Sequence, residues 1–165
     1  MNFVTLADEN LKSFGEYPFL IFEDVIFTNR QMINDTNGIA NGLKKLGVNK
    51  GDKVVVMLPN CPEVLISYQG ILRCGAVIVP IIPLMNEREL SHILGNCEAV
   101  AMITTRDIFQ KNELSWCPCH VHNDVEQSRC GKVRAILMEE LPQRCSAFSG
   151  RESVSISKEI SLYSL

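Results

Sequence analysis

The sequence predicts an α/β fold with a mostly parallel sheet and flanking helices. Residues 51–83 read as an apolar run, a helix-periodic segment and a second apolar run, and a third apolar run follows at residues 100–104. Apolar runs without alternation are typical of strands buried on both faces of a parallel sheet. Two such strands joined by a helix normally form a parallel crossover. At 165 residues and 46% apolar content, the chain is large enough for one domain.

The N-terminal segments predict a helix and a hairpin. Thr5 is a possible N-cap for a short helix over residues 6–14, which Gly15 ends. Two apolar runs, residues 19–22 and 25–27, flank Glu23 and Asp24. This arrangement predicts a β-hairpin, although its turn lacks the glycine that two-residue turns favour.

A capping-box pattern, Thr28-x-x-Gln31, predicts the start of the next helix, and Gly47 predicts its end. Gly38 and Gly42 weaken this prediction, since an interior glycine costs about 1 kcal/mol relative to alanine. The caps and the apolar spacing outweigh the glycines. The side chains expected to face inward are Met32, Ile39, Leu43 and Leu46.

The central unit is predicted as strand, helix and strand. Residues 54–58 form the first strand, Pro59 ends it, and Pro62 with Glu63 is typical of a helix start. Gly75 ends that helix, and residues 76–79 form the second strand. The side chains expected on the buried face of the helix, from their spacing, are Val64, Leu65, Tyr68, Ile71 and Leu72.

A second capping pattern, Asn86-x-x-Glu89, starts the following helix, which is expected to end near Gly95 or Asn96. Its predicted buried residues are Leu90, Ile93 and Leu94. Residues 100–104 complete the predicted sheet as a third parallel strand.

The sequence of residues 47–94 resembles the N-terminal region of the adenylate-forming acyl-CoA synthetases, especially the fatty-acid CoA ligases. It reads GVNKGDKVVVMLPNCPEVLISYQGILRCGAVIVPIIPLMNERELSHIL. The resemblance extends over residues 6–105. The matching positions are Gly51-Asp52, Leu58-Pro59-Asn60 with Glu63, Gly70, Gly75, Pro80, Pro83 and Glu89-Leu90.

The resemblance implies a fold and a chemistry. Such enzymes run to several hundred residues, so this chain corresponds to an incomplete N-terminal part of their large domain. The family uses ATP, Mg²⁺ and CoA to convert a carboxylate into its CoA thioester through an acyl-adenylate. Its phosphates are held by a Ser/Thr/Gly-rich loop ending in Pro-Lys-Gly.

No counterpart of the phosphate loop occurs in the sequence. The nearest imitation, Ser149-Gly150-Arg151, has a single glycine and no lysine beside it. Neither a dinucleotide fingerprint nor a P-loop pattern occurs. No catalytic, cofactor-binding or metal-binding residue is therefore carried over from the family. No cofactor is expected for this chain alone.

The chain divides, by prediction, into a partial ligase domain over residues 1–105 and a Cys/Ser-rich, poorly ordered tail over residues 106–165. Within the tail, residues 132–139 are consistent with a strand or a short helix. The tail is either a diverged family sequence or a product of alternative splicing, a frameshift or a faulty gene model. The abrupt loss of local signals favours the second explanation.

Metal-ligating residue types cluster in the tail: Cys117, Cys119, His120, His122 and Cys130. These side chains are zinc ligands, but structural zinc sites use C-x-x-C pairs, and one proline separates the first two cysteines here. Metal binding is the minor hypothesis.

Two further residues are of types that take part in catalysis. His92 lies in a helix and is interpreted as a surface residue rather than a general base. Cys61 precedes a helix, whose dipole would lower its thiol pKa. An inert, half-buried thiol is the preferred interpretation.

Composition bounds the environment. The formal charge of −3 argues against nucleic-acid binding. The longest apolar stretch, residues 77–85, is too short to span a bilayer and contains two prolines, and no signal-peptide pattern precedes it. Seven cysteines without such a signal predict reduced thiols and a cytoplasmic protein.

Two functions are open. The chain is an N-terminal fragment of an acyl-CoA ligase, inactive by itself, or a non-catalytic truncated isoform or remnant. In the second case an exposed sheet edge would bind a full-length relative or a chaperone. A sheet that lacks its later strands also predicts a low melting temperature or poor solubility.

Overall fold

The computed structural model describes residues 3–111, 134–138 and 159–160. The helices are α1 (Phe3–Phe14), α2 (Asn29–Lys45), α3 (Pro62–Arg73), α4 (Glu87–Cys97) and α5 (Arg106–Lys111). The strands are β1 (Pro18–Phe22), β2 (Val25–Thr28), β3 (Lys53–Met57), β4 (Val77–Pro80), β5 (Ala101–Thr105), β6 (Arg134–Met138) and β7 (Glu159–Ile160).

The main sheet has the strand order β4-β3-β5-β6-β7. Strands β4, β3, β5 and β6 run parallel, and β7 pairs antiparallel with β6. Strand β3 therefore lies between β4 and β5, the two strands that follow it in the chain. The predicted α/β class with a mostly parallel sheet is confirmed.

Both faces of the sheet are covered. Val54 and Val56 of β3 join the core beneath α2 and α3, whereas Val55 and Met57 join the core with α4 residues. All four of these side chains are buried. The uniform burial of β3 explains why its sequence does not alternate between apolar and polar residues.

The predicted hairpin of β1 and β2 is confirmed, with Phe22 opposite Val25. Glu23 supplies the turn conformation that a glycine would have given, because its φ is +52°. A residue with a side chain pays about 1 kcal/mol or more for this left-handed conformation.

Helix α2 begins with the predicted capping box. The Gln31 backbone N–H donates to Thr28 Oγ1 at 3.2 Å, and the Thr28 N–H donates to Gln31 Oε1 at 2.9 Å. The helix runs through Gly38 and Gly42 and is followed by Gly47, whose φ is +79°. Local capping and the buried apolar face therefore outweigh the two interior glycines.

Helix α1 begins earlier than predicted. It starts at Phe3, so Thr5 lies inside the helix and is not its N-cap. The predicted end at Phe14 is correct, and Gly15 follows with a φ of +72°.

The predicted buried face of α3 is correct in part. Ile71 is buried and Val64 and Tyr68 pack half-buried against the core, as expected, but Leu65 and Leu72 are 40% and 38% exposed. Buried residues that the prediction missed are Glu63, Ile66, Ser67 and Gly70. Apolar spacing missed these positions because small and polar residues occupy most of them.

The close approach of α2 and α3 explains the small residues. A β-carbon built on Gly70 would lie 2.5 Å from Ile39 Cγ2 and 2.7 Å from Ile39 Cβ. Only a residue without a side chain lets the two helix surfaces meet at this distance. Packing therefore selected small size over hydrophobicity at this position.

Helix α4 starts at the second predicted capping box. The Glu89 N–H donates to Asn86 Oδ1 at 3.0 Å, and the Asn86 N–H donates to Glu89 Oε2 at 3.1 Å. Leu90 and Leu94 are buried as predicted. The helix continues through Gly95 and Asn96 to Cys97, so its predicted end was one to two residues too early.

The described parts of residues 106–165 include regular structure. Helix α5 begins directly after β5, and residues 132–139 contain strand β6, parallel to β5. Met138 of β6 is buried in the core beneath α2 and α3. The sheet thus continues past residue 105 into the segment expected to be an irregular tail.

Within the described ranges, no helix has the length and apolarity needed to cross a membrane.

Candidate functional site

The carboxyl ends of the parallel strands lie at one edge of the sheet, where open α/β sheets normally bind their ligands. Loops 58–61 and 81–86 leave this edge after β3 and β4. At the end of β5, the buried Thr104 hydroxyl donates to the Met57 carbonyl at 2.9 Å. That hydroxyl group therefore links β5 to β3 by a hydrogen bond.

Cys61 lies at this edge, as the N-cap residue of α3. Its side chain makes no capping hydrogen bond, and Pro62 follows as the first helical residue. Burial raises the pKa of the Cys61 thiol to about 12, and the negative charge of Glu63 adds to the effect. The hypothesis of a dipole-activated thiol is therefore wrong, and the preferred interpretation as an inert thiol agrees with the structure.

Two buried oxygens of α3 have no hydrogen-bond partner within the described part of the chain. They are Glu63 Oε2 and Ser67 Oγ, which lie one helical turn apart. Glu63 is 9% exposed and Ser67 is fully buried. Buried oxygens of this kind are normally hydrogen-bonded, so these two are exceptions among the buried polar groups of α3. The apolar periodicity of the sequence gave no signal for them.

His92 is exposed on α4, as predicted. The Asn96 side-chain amide donates to His92 Nε2 at 2.9 Å, one turn further along the helix. This contact joins two exposed side chains one turn apart on the surface of the helix. The surface interpretation of His92 is confirmed.

The other sequence candidates lie outside the described residues. These are the possible zinc ligands Cys117, Cys119, His120, His122 and Cys130, and the loop-like segment Ser149-Gly150-Arg151. Among the residues that the structure describes, no three histidine, cysteine, aspartate or glutamate side chains come together as a metal site would require. Metal binding by the cysteine and histidine cluster stays a prediction.

The structure also joins residues that sequence reasoning did not connect. Arg73, in the last turn of α3, binds Asp8 of α1 through both guanidinium Nη atoms, at 2.6 and 3.0 Å. Beside α1 lies a pocket of about 80 Å³, half open to solvent, whose lining includes Leu6, Met32 and Ile33. No local pattern pairs residues 65 positions apart in the chain.

Comparison with solved structures defines the class of protein. The crystal structure of an anthranilate CoA ligase bound to anthranoyl-AMP superimposes with a TM-score of 0.63 and 31% identity, covering 68% of this chain and 22% of that one. An N-terminal subdomain of a Klebsiella oxytoca protein, bound to anthranilyl-AMSN, gives a TM-score of 0.58 and 27% identity, covering 61% and 27%. The fold is thus that of part of an adenylate-forming enzyme.

Sequence comparison identifies the family. The model of the AMP-binding enzyme family matches residues 7–157. The long-chain-fatty-acid–CoA ligase of Bacillus subtilis is 39% identical over 107 residues, which are 65% of this chain and 19% of that protein. A crotonobetaine/carnitine–CoA ligase of Escherichia coli is 27% identical over 111 residues, or 67% and 20%. The chain belongs to the AMP-binding enzyme family.

The matched lengths have two consequences. The chain spans about a fifth of the length of the curated relatives that it matches. The family match also runs beyond residue 105, to residue 157. The domain boundary at residue 105 stays a prediction.

Proposed function

We propose that the chain is the N-terminal part of a cytoplasmic AMP-dependent acyl-CoA synthetase and is inactive by itself. In the complete enzyme, ATP would activate a fatty acid or similar carboxylate for transfer to CoA. The single observation that carries the proposal is the 39% identity to the Bacillus subtilis long-chain-fatty-acid–CoA ligase, confined to 19% of that protein.

The structural role of these residues supports the proposal. The core strands β3 and β5 are covered by α2 and α3 on one face and by α4 on the other. They provide scaffold, whereas the sequence has no phosphate-binding loop ending in Pro-Lys-Gly. A scaffold without that loop lacks the groups that would bind the ATP phosphates and offset their negative charge.

Carboxylate-dependent exchange between ATP and labelled pyrophosphate tests the proposal. The purified 165-residue chain is assayed with Mg²⁺ and fatty acids of several chain lengths, beside the Bacillus subtilis ligase as a positive control. We expect exchange by the control and none by the chain. Exchange above that of a mock preparation would refute the proposed inactivity.

A second candidate is a non-catalytic protein that binds a full-length relative. The observation that favours it is a row of exposed apolar side chains at and after β4, namely Val77, Ile82 and Leu84. Their exposed fractions are 47%, 60% and 86%.

The backbone of β4 argues against pairing with another strand. Val77 and Ile81 donate their N–H groups to Asp52 and Val56, so alternate residues face β3 and the intervening ones face outward. Pro80 is an outward-facing residue and has no N–H to offer. A partner would therefore bind through side chains rather than by extending the sheet.

Intact mass of the endogenous protein separates the two candidates. An antibody raised against residues 6–105 captures it, and mass spectrometry weighs it. A mass several-fold above 18.5 kDa supports the ligase fragment. A mass of 18.5 kDa, with a stable complex between the chain and a full-length relative in light scattering, supports the binding protein.

A further inference from the structure

Three exposed asparagines follow one face of helix α2. Asn34, Asn37 and Asn41 are three and four residues apart, so each lies about one turn from the next. Glycine follows two of them, at Gly38 and Gly42, and the sequence contains no other asparagine–glycine pair. Both pairs therefore lie in one helix, beside an asparagine of the same face that lacks the glycine.

An asparagine followed by glycine can lose its side-chain amide without an enzyme. The glycine backbone nitrogen attacks the asparagine Cγ, a bond forms between these two atoms, and the Cγ–Nδ2 bond breaks. The Nδ2 group leaves as ammonia and takes up the proton that the glycine nitrogen gives up. Water then opens the five-membered imide at either carbonyl, which gives aspartate or isoaspartate. Glycine favours the attack because it has no β-carbon to restrict its backbone.

The folded helix hinders this attack. Helix α2 runs through both pairs, so the nitrogens of Gly38 and Gly42 donate to the carbonyls four residues earlier. Helical geometry also keeps the asparagine backbone away from the conformation that closes the imide ring. The reaction at either pair therefore requires this part of α2 to open.

Contacts with α3 keep α2 closed. Thr36 and Ile39, on the other side of the helix, are buried. The Thr36 hydroxyl lies 3.5 Å from Gln69 Oε1, and Ile39 packs against Gly70. The two interior glycines weaken the helix itself, so the protection of both pairs depends on tertiary packing more than on helix propensity.

We propose that Asn37 and Asn41 are deamidation sites that are protected while α2 packs on α3 and react once α2 opens. The isoaspartate product routes the backbone through the former side chain and adds a methylene group to it. The helix hydrogen bonds around it then no longer align. Opening of α2 is thus converted into a covalent change that prevents the helix from closing again.

Peptide mass spectrometry of the full chain, aged at neutral pH, tests the protection. Ageing in urea is compared with ageing in native buffer under conditions where circular dichroism shows the helices intact. Deamidation is followed as the mass gain from amide to carboxyl at each asparagine. We expect Asn37 and Asn41 to react at least about tenfold more slowly in the folded chain than in urea. Equal rates in the two states would overturn the proposal.

Asn34 is the matched site within the same samples, since it is exposed on the same face and is followed by Asp35. In urea, Asn37 and Asn41 should react several-fold faster than Asn34. A rate at Asn34 equal to theirs would rule out the two pairs as special sites.

A variant tests the role of α3. Gly70→Ala places a β-carbon 2.5 Å from Ile39 Cγ2 and so pushes α2 away from α3. It should speed deamidation of Asn37 and Asn41 in native buffer and leave their rates in urea unchanged. An unchanged native rate would contradict the protection by α3.

Refolding measures the consequence for the fold. Each chain is aged in urea and diluted into native buffer, and the recovered circular dichroism is compared with that of an unaged sample. The double variant Asn37→Gln with Asn41→Gln removes both sites, because glutamine would have to form a larger ring that closes more slowly. Asn34→Gln makes the same change at the third position and is the control. We expect ageing to lower the refolded fraction of the wild type and the control but not of the double variant. Equal losses in all three chains, or none in a fully deamidated wild type, would refute the covalent block.

Discussion

Replacing Gly70 by alanine is expected to lower the free energy of unfolding by up to about 2 kcal/mol, although alanine is the better helix former. The added β-carbon would lie 2.5 Å from Ile39 Cγ2 and 3.3 Å from the Thr36 carbonyl oxygen. Ordinary contact begins near 3.5 Å, so the surfaces of α2 and α3 must part by about 1 Å.

The size of the effect follows from two opposing contributions. Overpacking a core typically costs about 1–3 kcal/mol. Replacing a helical glycine by alanine returns up to about 1 kcal/mol. The contact involves the branched β-carbon of Ile39 as well as its methyl group, so a rotamer change alone does not remove it. The packing cost therefore exceeds the gain in helix propensity.

Urea denaturation followed by circular dichroism measures this difference. Gly38→Ala is the matched control, because Gly38 is also helical and a β-carbon there meets nothing within 4 Å. It should raise the free energy of unfolding by about 0.5–1 kcal/mol. The two substitutions thus have opposite expected signs. Gly70→Ala at or above wild-type stability would refute the close packing of α2 on α3.

A double-mutant cycle assigns the cost to Ile39. In the background of Ile39→Ala, which removes the nearest methyl group, Gly70→Ala should destabilise less than it does in the wild type. An unchanged cost would place the strain elsewhere in the helix pair.

Three other outcomes are expected. Thr28→Ala should lower the free energy of unfolding by about 1 kcal/mol in urea titrations, because it removes the N-cap of α2; no change would contradict the cap's role. The depressed pKa of Asp8 means that its contribution to stability is complete above its unfolded pKa, near 3.8, and is lost as the pH falls through the lower folded value. Unfolding at pH 2–6 should show this acid loss in the wild type and less of it in Asp8→Asn, and equal profiles would refute it. Cys61, whose pKa burial raises to about 12, should react with iodoacetamide at pH 8 at least about tenfold more slowly than after unfolding in urea, as measured by peptide mass spectrometry. Equal rates would contradict its burial.

The start of α2, the start of α4 and the hairpin were predictable because their signals are local. The capping boxes at Thr28 and Asn86 need only residues three positions apart, and both form as expected. The hairpin turn at Glu23 formed without glycine, at the cost of a positive φ. Strand β3 was also predictable, because burial on both faces requires an unbroken apolar run.

The exposure or pKa of a candidate-site residue was predictable only where the residues next to it in the sequence determine that property. His92 was assigned to a helix surface from its own helix. The state of Cys61 depended on two opposing effects, the helix dipole and burial, and the sequence gives no depth of burial. In the structure, the effect of burial outweighs that of the helix dipole, so the thiol pKa is raised.

The sequence by itself determined the α/β class, the family and most helix and strand positions, since periodicity, caps and sequence motifs are all properties of neighbouring residues. Tertiary structure decided which side of α3 is buried, because the approach of Ile39 to Gly70 comes from a different helix. It also decided the position of β3 between β4 and β5, and the pairing of Asp8 with Arg73. These features join residues far apart in the chain, and only the packing of the whole domain brings them together.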